Sequence, residues 1–424
     1  MRILIVNTSE KTGGAAVAAN RLMEALKNNG EKAKMLVRDK ETDQITVVGL
    51  PHHLLSHWRF LWERWCIFCH LHFSRKHLFE IDIANAGSDI TSLREFREAD
   101  IIHLSWINQG MLSLKNIRKI VNCGKPVVWT MHDLWPATGI CHYARNCSAF
   151  EAGCHHCPLL PGRGTDNDLS RKIWNRKRAL YQQSNIHFVA CSRWLEGKAL
   201  QSGLLAGQHV ESIPNPIDTH VFHKGDHKEA RLCVNLPADK QLILFVSQRV
   251  TDERKGMAYF SEAINKLVAE HPEMKDHTGV AILGGHSEEV ADQMPLPVYS
   301  LGYVSDEKMI VNIYNSANVF VLPSLEDNLP NTIMEAMACG VPCVGFRVGG
   351  IPEMIDHQQN GYVAKFKDVD DLARGIHWVL SEADAQALSR QAIRHVTTNY
   401  SQTSVAMRYI KVYNQVLTRK NYHL

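Results

Sequence analysis

Val321-Leu322-Pro323-Ser324-Leu325-Glu326-Asp327-Asn328-Leu329-Pro330-Asn331-Thr332-Ile333-Met334-Glu335-Ala336-Met337-Ala338-Cys339-Gly340-Val341-Pro342 is the stretch on which the reading of this chain turns. Val319 to Leu322 is a short apolar run halted by Pro323, the pattern of a strand buried on both faces of a parallel sheet. Ile333 to Ala338 are mostly good helix formers, Asn331 and Thr332 offer capping oxygens, and Gly340 with Pro342 makes a stop. The loop between them is therefore expected where a strand ends and a helix begins. Open α/β sheets hold ligands there, and helix-start N–H groups attract phosphate. Asp327 and Glu335 frame the loop, with Glu326 beside the first acid.

The same alternation of strand and helix runs along the chain. Leu242 to Val246 reads as a strand leading through Arg249 to a helix opened by Lys255-Gly256. Cations at such a lip suit a diphosphate, Arg as a two-pronged donor and Lys as a point charge. Val280 to Gly285, Tyr299 to Tyr303, Val341 to Phe346 and Gly361 to Val363 supply further strands. In the first half, Arg2 to Asn7 is a strand, and Gly13-Gly14 opens a helix from about Ala15 to Asn29, bringing backbone within reach of a ligand. Lys34–Arg38, Ile101–Leu104, Val127–Asp133 and Ile186–Ser192 continue the pattern. Two of these runs carry His103 and His132 where the strand gives out. His103 reads as a core histidine, whereas His132 is a candidate ligand-facing residue.

Strands alternating with helices mean an α/β protein with parallel sheets, and 424 residues exceed one core. Proline punctuation from Ile213 to Asp218 marks a boundary, with a linker near 219–235. The expected domains are 1–220 and 221–403, the final helix from about 404 to 424 returning to the first. Charged residues at 21% and apolar ones at 45% are ordinary for a soluble globular protein, and a net charge of +3 gives no reason to expect nucleic acid as a partner. Met1 to Asn7 reads as a strand, so no signal peptide is expected, and no uncharged apolar run is long enough to span a bilayer. Eleven cysteines, an odd number, suit a reducing cytoplasm.

Two segments stand outside this rhythm. Leu54 to Phe79 interleaves Trp58, Phe60, Leu61, Trp62, Trp65, Phe68 and Phe73 with Arg59, Arg64, Arg75 and Lys76. As a helix it is either packed into the core or a basic, aromatic face for a membrane surface or a lipid-linked acceptor. Cys141, Cys147, Cys154 and Cys157 fall in a loop rich in glycine and proline, where four thiols can close a tetrahedral structural Zn²⁺ site or remain as reduced thiols.

The run from Asp327 to Glu335, with the Ala-Met-Ala-Cys-Gly-Val-Pro that follows, resembles the signature of retaining family-four glycosyltransferases of the GT-B fold. The likeness extends from Gly13-Gly14 to the last helix and is similar to bacterial surface-polysaccharide enzymes of the colanic-acid type. It implies two Rossmann-like domains facing a central cleft, the first for acceptor and the second for nucleotide-diphosphate sugar. By resemblance Asp327, or Glu326, lies beside the donor sugar, and His132 hydrogen-bonds one of its hydroxyls. Glu335 binds the ribose, amides near Asn331 and Thr332 hold the diphosphate, Arg249 and Lys255 grip it, and the Gly13-Gly14 loop lies against it. Family enzymes usually carry Glu and a glycine-rich loop where this chain has Asp327 and Pro330. The resemblance implies metal-independent, retaining sugar transfer to a glycan or lipid-linked acceptor in polysaccharide biosynthesis, cytoplasmic or peripheral on the membrane's inner face. No Asp-x-Asp metal string sits at a suitable strand end. A nucleotide-sugar 2-epimerase or a non-catalytic sugar-binding protein would use the same scaffold.

Overall fold

The computed structural model describes residues 1–421, apart from the side chains of 291–293, 420 and 421. The chain divides into two compact units, Met1–Pro216 with the chain from Val405 onward, and Ile217–Ser404.

The first unit is built on a seven-stranded sheet in the order β3-β2-β1-β4-β5-β6-β7. Its strands are β1 (Arg2–Ser9), β2 (Lys32–Asp39), β3 (Val47–Gly49), β4 (Ile101–Leu104), β5 (Val127–Met131), β6 (His187–Ala190) and β7 (His209–Ser212), every neighbour parallel. Ile3, Leu4, Ile5 and Val6 are all buried, as a strand covered on both faces requires. The short β3 and β7 carry no apolar run long enough to announce them. Helix α1 (Gly14–Asn28) packs Leu22, Met23, Ala25 and Leu26 inward. The terminal helix Gln402–Asn421 completes that layer, burying Val405, Tyr409, Val412 and Tyr413 against Ile3, Ile5 and Val128.

The second unit carries a six-stranded sheet in the order β10-β9-β8-β11-β12-β13. These are β8 (Gln241–Arg249), β9 (Thr278–Gly285), β10 (Val298–Gly302), β11 (Val319–Leu322), β12 (Cys343–Phe346) and β13 (Gly361–Ala364), again all parallel. This is the Rossmann order, and the direction of winding reverses between β8 and β11. The loops after those two strands therefore diverge and leave a crevice; Arg249 ends β8, and Lys255, Asp327 and Glu335 belong to the segments that follow β8 and β11.

Two local expectations change. The helix Asn331–Ala338 has Pro330 as its N-cap with no side-chain capping bond, so Asn331 and Thr332 sit inside its first turn. The stop falls as expected: Gly340, at φ +76, donates to Met337 O and Val341 to Ala336 O, satisfying the last carbonyls. The segment 219–235 is not a loose linker. It contains the helix His227–Cys233, whose buried Arg231 donates to Ser316 O at 3.0 Å, Pro237 O at 2.6 Å and Asn318 Oδ1 at 2.8 Å.

Candidate active site

In the second unit, β8 ends at Arg249 and the chain passes through a single 3-10 turn, Glu253–Lys255, before the helix Met257–Glu270. Gly256 makes the turn possible. Its φ is +77, and a Cβ there would lie 1.9 Å from Pro323 O at the end of β11. The two strand-end loops are thus pressed together, with Leu325 N–H donating to Arg254 O at 2.7 Å.

That contact sets Lys255 Nζ 2.6 Å from Asp327 Oδ2, with Arg254 Nη1 3.7 Å from the same oxygen. Arg254 also donates to Glu326 O at 3.0 Å, and Ser324 Oγ lies 3.3 Å from Asp327 Oδ2. Burial would raise the Asp327 carboxyl; Lys255 and Arg254 more than offset it and hold the group below the ordinary aspartate range. The Asp327 carboxylate engages both cations, and the Glu326 carbonyl accepts from Arg254. Gly349, at φ +59, closes the other side: a Cβ there would fall 1.7 Å from Asp327 O, and Gly350 N–H donates to that oxygen at 3.2 Å.

About one turn into the helix that follows lies Glu335, which is 9% exposed and accepts from Tyr314 Oη at 2.8 Å. Asn331 and Thr332 form the intervening helix start. Arg249 is exposed at the end of β8. The second cation on Asp327 is therefore Arg254, which the sequence reading passed over although it adjoins Lys255. The 3-10 turn brings both adjacent basic residues to the same acid. Tyr314 was missed too, since it lies on the preceding helix with no local signal tying it to Glu335.

In the first unit, His132 follows β5, and its Nε2 is 2.9 Å from Ser105 Oγ after β4. With Asn215 and Pro216 it lines a cavity of about 10 Å³, room for one water. Burial pulls its imidazole down to about 4, against a smaller upward pull from Asp133, so the ring is neutral at physiological pH. Asp133 itself accepts from Trp106 Nε1 at 2.8 Å and pairs with His142 Nδ1 at 2.8 Å. His103 is structural: its ring bonds Tyr413 Oη at 2.5 Å and Thr130 Oγ1 at 2.8 Å, tying the terminal helix to the sheet. Gly13, at φ +92, and Gly14 make the turn from β1 into α1.

Cys141, Cys147, Cys154 and Cys157 share one loop. Burial pushes the Cys154 thiol up to about 11 and Cys157 to about 12, and the sulfurs raise one another further. Gly139 N–H donates to Cys154 Sγ at 3.2 Å. Four thiols are a donor set suited to Zn²⁺, but no three of these sulfurs lie within 4.8 Å of one another, so a closed shell would need the loop to draw them to about 3.8 Å. Among the described residues, the three or more metal-ligand types whose donor atoms all lie within 4.8 Å are His155, His156 and Asp166, which share the loop and are exposed.

Comparison with known proteins agrees with the fold. Residues 12–221 match the family described as Glycosyltransferase Family 4, and residues 240–382 that described as Glycosyl transferases group 1. An uncharacterized glycosyltransferase of Methanocaldococcus jannaschii is 31% identical over 353 residues, 79% of this chain and 89% of that one. The N,N'-diacetylbacillosaminyl-diphospho-undecaprenol alpha-1,3-N-acetylgalactosaminyltransferase of Campylobacter jejuni is 28% identical over 185 residues, 43% of this chain and 47% of that enzyme. Anabaena HepE, solved in complex with UDP-glucose, shares the fold with a TM-score of 0.61 at 15% identity, covering 98% of this chain and 100% of that one. The chain belongs to the glycosyltransferases, as a group 1, family 4 member with the GT-B fold.

Proposed function

We propose that this enzyme moves a sugar, with retention of anomeric configuration, from a nucleotide-diphosphate sugar to a glycan or lipid-linked acceptor of a surface polysaccharide. The observation that carries the reading is the Lys255–Asp327–Arg254 cluster at the crevice of the second sheet, beside a helix start and the buried Glu335. As the glycosidic bond to the diphosphate breaks, negative charge grows on the leaving oxygen. In this reading Lys255, Arg249 and the amides of Asn331 and Thr332 stabilise that charge. Asp327 orients the cations and borders the sugar. Its low pKa and two cationic neighbours suit a positioning role rather than that of a nucleophile. Glu335, held by Tyr314, takes the ribose hydroxyls. His132, neutral and anchored by Ser105, donates or accepts one sugar hydroxyl bond. HepE with UDP-glucose and the undecaprenol-linked acceptor named for the Campylobacter enzyme support the donor and acceptor classes.

The test begins with a panel of nucleotide sugars screened by thermal shift, because a ligand that binds only the folded chain raises its melting point. With the donor found, Lys255→Ala lowers turnover by about a hundredfold or more while circular dichroism shows the fold retained. Near-normal turnover would refute the assignment. In the same reading, Cys141, Cys147, Cys154 and Cys157 hold a structural Zn²⁺ that orders their loop. Protein purified without chelators then carries about one equivalent of zinc, lost in Cys154→Ser/Cys157→Ser; wild-type protein without zinc sinks that part alone.

A further inference from the structure

Among the described residues, helix α2 (His53–His70) is the long helix whose apolar face looks outward. Its inner side is fastened by polar and apolar contacts. Arg64 Nη2 lies 2.9 Å from Asp82 Oδ2 and 3.9 Å from Glu63 Oε2, Arg64 Nη1 donates to Leu78 O at 2.7 Å, and Arg59 Nη1 donates to Ser88 Oγ at 2.7 Å. Ile67 and Leu71 pack with Ile81, Ile83, Ile140 and Ile173. The backbone also sits hard against the sheet-end turn, since a Cβ on Gly110 would fall 2.7 Å from Phe60 N. The helix is therefore held firmly, and its outward face is a property of the fold.

That face carries Leu54 at 79% exposure, Trp58 at 69%, Trp62 at 58% and Trp65 at 54%, with Leu55 and Leu61 alongside and Phe73 at 65% just beyond. The positions 54, 58, 61, 62 and 65 fall on one stripe of a 3.6-residue helix. Between Pro51 and Phe79 the single acid is Glu63, which is buried, while Arg75 and Lys76 are exposed just past the helix.

We infer that α2 is a membrane-docking element that lays its tryptophan stripe into the headgroup region of a bilayer containing anionic phospholipid. Tryptophan is suited to that level because its ring is apolar and its N–H can stay wet. The cationic fringe matches a negative surface. A second copy of the chain fits less well, because a symmetric contact of this segment would set Arg75 and Lys76 against themselves with no exposed acid between Pro51 and Phe79 to meet them. No described helix is long and apolar enough to cross a membrane, so the contact lies along the surface. The inference adds a partner to the lipid-linked-acceptor reading yet stands on the geometry of α2 alone.

The test is co-sedimentation of the full chain with vesicles of phosphatidylglycerol and phosphatidylethanolamine, against phosphatidylcholine alone. Binding is expected to the anionic vesicles and to weaken at about 0.5 M salt, where charges are screened beyond a few ångströms. Trp58→Ser/Trp62→Ser/Trp65→Ser should weaken it about tenfold or more, and Arg75→Glu/Lys76→Glu should weaken it with the apolar stripe intact. Both variants are built at exposed positions, and unchanged circular dichroism and melting temperature check the fold. Transfer to a soluble acceptor analogue should persist in both, which separates failure here from failure of the enzymatic reading. No binding at low salt, or equal binding by the tryptophan variant, overturns the proposal. So does a dimer of the wild type that the tryptophan variant abolishes without vesicle binding.

Discussion

Asp327 and the two strand-end histidines show how burial is resolved in opposite ways by single residues. Asp327 has cations within reach and stays ionised. His103 has only hydroxyl partners and is pulled down to about 3 by burial, with His132 adding to the shift; His132 falls to about 4. Neutral imidazoles in the fold become charged only on unfolding, where the ordinary value is about 6.5. The unfolded chain then binds more protons below that pH, so stability is complete above it and falls as pH drops. The loss levels off near 4 for His132 and near 3 for His103. At pH 5 each histidine should cost roughly 2 kcal/mol relative to pH 7. Denaturant unfolding of the first unit, followed at both pH values, checks this, and equal stability would mean that these rings are charged in the fold.

Among the elements, the loop from Pro323 to Pro330 depends on two glycines that lie outside it. Gly256 and Gly349 let neighbouring turns approach its backbone at distances a side chain would forbid. Gly349→Ala would meet both a left-handed φ and the Asp327 carbonyl. It should cost roughly 2–3 kcal/mol and lower turnover, because Asp327 and Lys255 would no longer meet at hydrogen-bond distance. Gly30→Ala supplies the comparison: Gly30 also has positive φ, at +88, but nothing lies within 4 Å of a Cβ. That change should cost only about 1 kcal/mol of backbone strain and leave turnover alone. Equal melting-point losses for the two variants would show that the close approach to Asp327 is immaterial. Helix α2 teaches the complementary point. Its spacing is that of any amphipathic helix, and Arg64, expected on the basic rim, is instead buried against Asp82. The inside is secured by charges and the outside is apolar, the reverse of the ordinary arrangement.

Across the chain, two parallel sheets of ordinary Rossmann winding supply two places where strand-end loops diverge. Residue order alone was enough to read the alternation of strand and helix and membership of a glycosyltransferase family, and it singled out Asp327 and Lys255, which the fold brings together. Such features are local: apolar runs, helix stops and short spacings are written in neighbouring residues. Other features came from residues distant in the chain. Arg254 joins Asp327 across 73 positions, Tyr314 reaches Glu335 from another helix, and Tyr413 fastens His103 from the far end. Whether the tryptophans of α2 faced core or solvent also waited on the folded chain. A helical period shows that two faces differ; which one is covered depends on what the rest of the fold brings against it.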